Sequence, residues 1–398
     1  MKTQEGQVVV VGGCGHVGLP LAIVLASKGL SVTAYDIDSD VVSRVNAGQM
    51  PFDEQGAQDL LKQVLASGRF KASANPFLVG EAEHVIIVIG TPVDEHLNPN
   101  PSAVVNAIAD LSMHFKPGQH LVLRSTIYPG VTRLVEQAML NQQLNVDVTF
   151  CPERIAEGRA LEELETLPQI ISGRNERALA RARRLFSHLT SNLIETLPEE
   201  AELAKLFTNT WRYIKFATAN QFFMIANDYG LDFERVRHAI TTDYPRAADM
   251  PGAGFAAGPC LFKDTMQLAA FNNNNFALGH ASMLINEGLP LYLISRLESK
   301  HDLKGLTVGV LGMAFKGESD DTRSSLSYKL RRILEFKAKR VICADDNVLS
   351  DQRLVSERVL LGEADLVIIG APHLRYRTLS THKPVIDIWN IQGNGTIV

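Results

Sequence analysis

The segment "GFAAGPCLFKDT" carries the residue types of a nucleophilic site. It places Cys260 after a run of small residues and three residues before Lys263, which Asp264 follows. A cysteine thiolate is a strong nucleophile, and a nearby positive charge favours the thiolate over the thiol. The segment therefore indicates a reactive cysteine, and the alternative is a buried, inert thiol.

The other cysteines, Cys14, Cys151 and Cys343, lie far from Cys260 and from one another in the sequence. Disulfide frameworks and zinc sites are typically recognised by paired cysteine spacing, which this sequence lacks. We expect four free thiols and no bound metal.

A second motif, "GGCGHVG", contains Gly13, Gly15 and Gly18 between an apolar strand and a helical stretch at residues 16–28. Glycines in this pattern permit a tight turn, the approach of a pyrophosphate to backbone N–H groups, and close packing of helix on strand. Asp36 ends the strand segment "SVTAYD", 18 residues after Gly18. A carboxylate there accepts hydrogen bonds from a ribose and repels a 2′-phosphate, so the pattern predicts NAD rather than NADP. The alternative is a glycine-rich turn in an α/β domain that binds no cofactor.

Polar residues also follow three further apolar strands. Thr91 lies in "GTP", Thr126 in "RSTIYPG", and Glu153 and Arg154 in "CPER". Ligands of open α/β sheets bind at the carboxyl ends of strands, so we expect Thr91 and Thr126 to face the cofactor. Helix capping is the alternative for the two threonines, and a surface ion pair is the alternative for Glu153 and Arg154.

A lysine and an asparagine share one face of a long helix. Lys205 and Asn209 are four residues apart in "ELAKLFTNTWR", and side chains at this spacing are neighbours. Together they are able to hold an oxyanion. The alternative for Lys205 is a solvated surface lysine.

The elements that position these residues follow a βα rhythm, which predicts an α/β fold with parallel sheets covered by helices. A long helix is predicted from Pro198 to just before Gly230, and the βα rhythm restarts after Gly305. We expect an N-terminal Rossmann domain at residues 1–196, a central helical domain at 197–300 and a Rossmann-like domain at 301–398. The polar run "FNNNNF" is expected to connect two helices.

Composition excludes several classes of partner. The chain of 398 residues has 45% hydrophobic residues and a net charge of −5, without long blocks of one sign. This is typical of a globular protein that binds small molecules, and it favours neither nucleic acid nor a membrane surface. No segment resembles a leader peptide or an apolar membrane span, so we expect a cytoplasmic location.

The motifs taken in order resemble those of the UDP-glucose/GDP-mannose dehydrogenase family. They are G-x-G-x-x-G, "GTPVDE", "RSTIYPG", "CPERIAEG", "ELAKLFTNTWR", "YPRAADMPGAGFAAGPCLFKDT", "INE" and "GMAFKGESDDTRSS". The resemblance implies oxidation of a nucleotide-sugar C6 alcohol to a carboxylate, with two NAD molecules consumed in turn. It also implies a homodimer through the central helical domain and nucleotide-sugar binding by the C-terminal domain.

In this family a cysteine forms a thiohemiacetal with the intermediate aldehyde, and the resemblance assigns that role to Cys260. Loss of a second hydride gives a thioester that water hydrolyses. The resemblance assigns oxyanion stabilisation to Lys205 with Asn209, and handling of a proton or water to Asp264, Glu153 and Thr126.

The resemblance also implies two binding sets. The cofactor set is Gly13, Gly15, His16, Val17, Gly18, Asp36, Thr91, Thr126, Glu153, Lys263 and Arg323. The substrate set is Lys205, Asn209, Arg246, Gly254, Phe255, Gly258, Phe315 and Lys316, with Arg246 reaching the substrate of the partner subunit. The alternative for Arg246 and Arg323 is an ordinary place at a domain interface.

The sequence departs from the family pattern at several positions. Ala257, Gly258 and Pro259 stand where the family usually has Gly-Gly-Ser, which stiffens the loop and removes a hydroxyl donor. Val41 stands where some members have a lysine for the NAD phosphates, and Arg44 is the candidate replacement. "IIGAPHLRY" lacks the Thr-x-Trp that often follows the corresponding strand.

The "KDT" after Cys260 favours UDP-glucose as substrate and UDP-glucuronate as product. UDP-N-acetylhexosamines and GDP-mannose are the alternatives. Two other classes are alternatives. One is a two-electron dehydrogenase of the β-hydroxyacid type, which shares the N-terminal fold and a helical second domain. The other is a sensor of NAD or sugar nucleotide that has the same fold and no catalysis. The cysteine and the third domain argue against the first, and the set of Lys205, Asn209, Cys260 and Asp264 argues against the second.

Overall fold

The structure is a computed structural model that describes residues 6–91, 100 and 102–398. Residues 92–95 of the "GTPVDE" motif and residues 1–5, which entered the prediction of no leader peptide, lie outside the described residues. The chain divides into two compact units, Met1–Phe207 and Thr208–Val398.

The first unit is built on a six-stranded parallel sheet with the order β3-β2-β1-β4-β5-β6. Its strands are β1 (Gln7–Val11), β2 (Ser31–Tyr35), β3 (Phe70–Ser73), β4 (His84–Ile87), β5 (His120–Leu123) and β6 (Asp147–Phe150). Its helices are α1 (Gly18–Ser27), α2 (Ser39–Asn46), α3 (Ala57–Ala66), α4 (Ser102–Leu111), α5 (Val131–Asn141), α6 (Ala160–Thr166) and α7 (Glu176–Phe186). Strands β7 (Gln169–Ser172) and β8 (Leu193–Thr196) pair as a second, parallel sheet. The strand order reverses between β1 and β4, the place where α/β sheets of this type bind ligands.

Helix α1 is buried rather than amphipathic. It begins at Gly18 instead of His16, and nine of its ten residues are buried. Helices α3 and α6 contact its outer side. A helix covered on both sides is apolar all round, so the sequence pattern carried no polar face.

The second unit combines helices with a smaller parallel sheet. Helix α8 (Pro198–Asp228) belongs to both units, and α9 (Phe233–Thr241), α10 (Leu261–Phe271) and α11 (Ala277–Lys300) follow it. The sheet has the order β10-β9-β11-β12, from β9 (Thr307–Leu311), β10 (Arg340–Ala344), β11 (Leu366–Ile369) and β12 (Val385–Ile386), with α12 (Leu326–Lys337) and α13 (Glu357–Glu363). The predicted α/β class, the long helix from Pro198 and the "FNNNNF" connection between α10 and α11 are confirmed.

None of the helices in the described ranges is both long and apolar enough to cross a lipid bilayer. Among the described side chains, no group of three or more His, Cys, Asp or Glu residues is arranged to hold a metal ion.

Candidate active site

The glycine-rich turn after β1 has the geometry of a dinucleotide cradle. A Cβ atom at Gly13 would lie 2.5 Å from the Val10 carbonyl oxygen, and one at Gly18 would lie 2.3 Å from the Gly12 carbonyl oxygen. At Gly15 the nearest atom would be 3.7 Å away, and this residue is exposed. Two glycines therefore allow close packing, and the third leaves the turn open to a pyrophosphate.

Asp36 lies beside this turn at the carboxyl end of β2. One carboxylate oxygen accepts from the Cys14 backbone N–H at 3.1 Å, and the other accepts from the Asp38 N–H at 3.3 Å. Burial, together with Asp36 and Asp38, raises the pKa of the Cys14 thiol to about 12, so this thiol is unreactive near neutral pH. His16 stacks on the Phe52 ring at a centroid distance of 4.1 Å.

The neighbouring strand ends bring the two threonines together. Thr91, after β4, donates from its hydroxyl to the Thr126 carbonyl oxygen, after β5, at 2.7 Å. The N-cap residue of α5 is Gly130, so Thr126 does not cap that helix. Two other expected residues lie in the first unit. Val17 directly precedes α1, and Arg44 lies in the last turn of α2.

Glu153 is buried, and its ion-pair partner is Arg124 rather than Arg154. Its Oε2 accepts from Arg124 Nε at 2.9 Å and from Nη2 at 2.5 Å. Its Oε1 accepts from the backbone N–H groups of Arg154 at 2.7 Å and Ile155 at 3.1 Å. The alternative of a surface ion pair between Glu153 and Arg154 is therefore wrong, and four donors fix this carboxylate at the carboxyl ends of β5 and β6.

Lys205 and Asn209 are both buried on α8. Lys205 is 9% exposed and Asn209 is 4% exposed. The alternative of a solvated surface lysine is therefore wrong. Asn209 Nδ2 donates to Asp264 Oδ2 at 2.5 Å. Asp264 is fully buried, and its Oδ1 lies 3.1 Å from Lys263 Nζ. The second unit thus joins three of the expected residues in one charged cluster.

Cys260 is an exposed cysteine at the N-cap position of α10. The Asp264 backbone N–H donates to the Cys260 carbonyl oxygen at 2.8 Å, which places Asp264 one turn further along the same helix. The positive end of the helix dipole favours negative charge at this sulfur. The alternative of a buried thiol is wrong for Cys260, whereas the other three cysteines are buried. Burial raises the pKa of Cys151 to about 11 and that of Cys343 to about 12.

The loop before Cys260 lies against the C-terminal sheet of the same unit. A Cβ atom at Gly254 would lie 2.2 Å from the Trp389 ring, and one at Gly258 would lie 2.6 Å from the Phe315 ring. Both glycines have positive φ angles, +154° and +101°. Phe255 contacts Trp389 edge to face at 6.1 Å. Only glycine fits at these two positions, and the loop thereby brings Cys260 near the turn that follows β9.

Three further expected residues have local contacts. Lys316 Nζ lies 5.5 Å from the Phe315 ring centroid. Arg246 donates to the Tyr244 hydroxyl at 3.3 Å, and Arg323 forms an ion pair with Asp321 at 2.6 Å. Sequence reasoning missed Arg124, although a charged residue at the end of a buried strand was a usable signal. It also missed Trp389, whose ring lies against Gly254.

Comparison with known proteins agrees with this arrangement. The chain matches three domain models of the UDP-glucose/GDP-mannose dehydrogenase family: the NAD binding domain at residues 7–190, the central domain at 199–287 and the UDP binding domain at 309–394. It is 32% identical to UDP-N-acetyl-D-mannosamine dehydrogenase from Pyrococcus horikoshii, over 96% of this chain and 95% of that relative.

Two solved structures have the same fold over nearly their whole length. One is a UDP-D-ManNAc dehydrogenase from Pyrococcus horikoshii, with a TM-score of 0.88, 29% identity, and coverage of 97% of this chain and 96% of that one. The other is a UDP-glucose dehydrogenase from Pyrobaculum islandicum, with a TM-score of 0.88, 28% identity, and coverage of 97% and 94%. The resemblance in the motifs is confirmed: the chain belongs to the UDP-glucose/GDP-mannose dehydrogenase family and has its NAD-binding domain.

Proposed function

We propose that this protein oxidises the C6 alcohol of a UDP-N-acetylhexosamine, foremost UDP-N-acetyl-D-mannosamine, to the carboxylate in an NAD-dependent reaction. The observation that carries the proposal is the exposed Cys260 at the start of α10, beside the cluster of Asn209, Lys263 and Asp264. The choice of sugar rests on the relative from Pyrococcus horikoshii. This choice replaces the expectation of UDP-glucose as substrate, which rested on the "KDT" segment that follows Cys260.

The glycine turn at Gly13, Gly15 and Gly18 fits the pyrophosphate of NAD, and Asp36 is placed to accept from its adenosine ribose. The bound cofactor supplies a hydride acceptor for each of two oxidations. The first oxidation breaks the C6–H bond and the O–H bond, and it gives an aldehyde. In our proposal Lys205 stabilises the developing oxyanion, with Asn209 holding Asp264 in place.

The second oxidation needs a nucleophile, because an aldehyde has no hydroxyl-bearing C–H bond to oxidise until an atom adds to it. The Cys260 thiolate forms an S–C6 bond, and a proton reaches the oxygen to complete the thiohemiacetal. Loss of the remaining C6 hydrogen as a hydride, together with release of the hydroxyl proton to water, gives the thioester. Water then attacks C6, the S–C6 bond breaks, and the thiol is regenerated. Asp264, one helical turn from Cys260, is the residue we place next to that water.

UDP-glucose is the second candidate substrate, because the UDP-glucose dehydrogenase from Pyrobaculum islandicum has the same TM-score as the UDP-D-ManNAc enzyme. A panel of UDP-N-acetyl-D-mannosamine, UDP-N-acetyl-D-glucosamine, UDP-glucose and GDP-mannose, each with NAD, tests the choice. We expect the highest kcat/KM with UDP-N-acetyl-D-mannosamine. A preference for UDP-glucose or GDP-mannose would contradict the proposal.

We further propose that the protein is a homodimer and that its functional domains are residues 1–196, 197–300 and 301–398. Helix α8 and the residue that follows it support the dimer, because they carry large apolar side chains that are exposed in the single chain. They are Trp211, Phe222, Ile225 and Tyr229. Several large apolar side chains exposed on one part of a surface are typical of an interface.

A further inference from the structure

A chain of buried amides connects α8 and α11 with the loop that leads to Cys260. Asn220 of α8 is 1% exposed and Asn286 of α11 is fully buried. Asn220 Nδ2 donates to the Gly254 carbonyl oxygen at 3.0 Å and to Asn286 Oδ1 at 2.9 Å. The Gly254 N–H donates to Asn220 Oδ1 at 2.9 Å, and Asn286 Nδ2 donates to the Tyr213 carbonyl oxygen at 3.1 Å.

The direction of every bond in this chain is determined. A backbone carbonyl only accepts and a backbone N–H only donates, so Gly254 fixes which end of the Asn220 amide carries oxygen. Asn220 then donates its second proton to Asn286, whose own amide must therefore point its nitrogen at Tyr213. The amide pair satisfies both backbone groups of Gly254, which would otherwise be buried without partners.

Gly254 is held from its other side by the C-terminal sheet. Its backbone lies against the Trp389 ring, where a Cβ atom would be only 2.2 Å away. Trp389 Nε1 in turn donates to the Ile369 carbonyl oxygen, at the end of β11, at 3.2 Å. Gly254 is thus clamped between the helices and the sheet, six residues before Cys260.

We propose that Asn220 and Asn286 are positioning residues for Cys260, through the clamped backbone of Gly254. The inference rests on the proposed function, in which Cys260 is the nucleophile. If the clamp is lost, the segment between Gly254 and the first turn of α10 is free to shift. A misplacement of about 1 Å is enough to cost on the order of a hundredfold in rate when a reacting atom must be aligned.

The same helix offers a matched control. Asn227 of α8 is also fully buried, and it forms the same pair of bonds to backbone groups. Its Nδ2 donates to the Thr396 carbonyl oxygen at 3.0 Å, and the Val398 N–H donates to its Oδ1 at 2.8 Å. Asn227→Ala therefore removes an equivalent amide clamp that holds the end of the chain instead of the cysteine loop.

The test compares Asn220→Ala, Asn286→Ala and Asn227→Ala with the wild-type protein in two assays. The first is turnover with UDP-N-acetyl-D-mannosamine and NAD. The second is the rate at which iodoacetamide alkylates Cys260 at pH 7, followed by mass spectrometry of the peptide. Cys260 is the one exposed cysteine of the four, so alkylation of the native protein reports on its sulfur. The Cys260 sulfur is already accessible to the reagent in the wild type. Displacement of this sulfur from the start of α10 should lower the fraction of thiolate and therefore slow alkylation.

For Asn220→Ala we expect kcat to fall by about tenfold or more and alkylation to slow by about threefold, with the KM for NAD within about twofold of wild type. Asn286→Ala keeps both hydrogen bonds to Gly254, so kcat and the alkylation rate should fall less than in Asn220→Ala. This variant tests the positioning role if Asn220→Ala does not fold. Asn227→Ala should match the wild type in both assays. The inference is overturned if Asn220→Ala and Asn286→Ala do not lower both kcat and the alkylation rate relative to Asn227→Ala. If the wild-type protein turns over no nucleotide sugar, the proposed function fails, and the alkylation comparison alone then decides the positioning role.

Discussion

At the scale of single residues, Cys260 differs from the other cysteines in both exposure and position. Cys14, Cys151 and Cys343 lie in the cores of the two units, where burial raises the pKa of each thiol. Cys260 lies at the solvent-exposed start of a helix. The sequence singled out Cys260 as the reactive cysteine, because it alone is followed by a Lys-Asp pair after a run of small residues, but it did not predict the burial of the other three.

Cys260→Ser should separate the two oxidations. A serine hydroxyl is a far weaker nucleophile than a thiolate near neutral pH, so oxidation of the aldehyde should stop while substrate binding persists. The assay offers the purified variant the C6 aldehyde of the sugar nucleotide with NAD and measures the uronic acid formed. Wild-type protein is the control, and normal conversion by the variant would remove Cys260 from the nucleophile role.

Asp36→Ala should relax the choice of cofactor. The carboxylate at the end of β2 favours ribose hydroxyls and repels a 2′-phosphate, so its removal should raise kcat/KM with NADP relative to NAD. The effect on kcat at saturating NAD should be smaller than the effect on the ratio. Asp38→Ala is the control, because Asp38 caps α2 through the Asp40 and Val41 N–H groups. A wild-type protein that uses NADP as well as NAD would show that Asp36 has another role.

Some side-chain contacts could not be predicted from the sequence. The order Glu153–Arg154 indicated an ion pair between neighbours, yet the guanidinium comes from Arg124, 29 positions earlier. Register explains this, because β5 and β6 pair Leu123 with Phe150 and so bring the residues after them together. Such a contact depends on strand pairing, which local sequence patterns do not specify.

At the scale of elements, the amino ends of β4 and β5 carry a buried histidine pair. His84 and His120 are register partners, and their Nδ1 atoms are 2.8 Å apart. His120 Nε2 also bonds the Thr149 hydroxyl at 2.9 Å. Burial lowers the pKa of His84 to about 4, with Glu83 opposing and Arg181 and Arg184 adding to the shift, and it lowers the pKa of His120 well below its usual value.

This pair should make the stability of the first unit depend on pH. Well above the ordinary histidine pKa of about 6.5, both histidines are neutral in the folded and unfolded chains, and the full stability is present. As pH falls from about 6.5 towards 4, the unfolded chain binds protons that the folded chain does not, so unfolding becomes easier by about 1.4 kcal/mol per pH unit for each histidine. Urea unfolding followed by circular dichroism at pH 7, 6 and 5 measures this slope. His120→Gln should flatten it, and an unchanged slope would show that the pair does not titrate on unfolding.

Helices and most strands of the two larger sheets were predicted from the sequence, including strands of four residues or fewer, whereas β3, β7 and β8 were not. Strands β3, β7 and β8 have four residues each, and β3 and β8 include exposed charged positions. Their pairing is set by neighbouring strands rather than by their own composition. The buried α1 and the exact start of α10 at Leu261 likewise depend on what packs around them.

At the scale of the whole molecule, the repeated βα rhythm before Pro198 and after Gly305 predicted the fold class, and the order of motifs predicted the family. The "KDT" segment favoured UDP-glucose, whereas the relative from Pyrococcus horikoshii favours an acetamido sugar. Sugar preference depends on contacts that a three-residue pattern does not report.

Charges among the exposed apolar residues on and just after α8 should weaken self-association. Tyr229 is 81% exposed in the single chain, and Tyr229→Asp combined with Trp211→Asp would place two carboxylates in the proposed interface. Sedimentation velocity should give a dimer for the wild type and a shift towards monomer for the double variant. Phe336→Asp is the control, since Phe336 is equally exposed on α12, at 87%. A monomeric wild-type protein would contradict the proposed dimer.

A four-electron oxidation through Cys260 consumes two NAD for each sugar nucleotide, so the stoichiometry of NADH formation tests the proposed function. A limiting amount of UDP-N-acetyl-D-mannosamine is converted to completion with excess NAD, and the NADH formed is compared with the uronate formed by mass spectrometry. We expect two NADH and one uronate for each sugar nucleotide consumed. One NADH with an aldehyde or keto product, or no NADH from any nucleotide sugar of the panel, would contradict it.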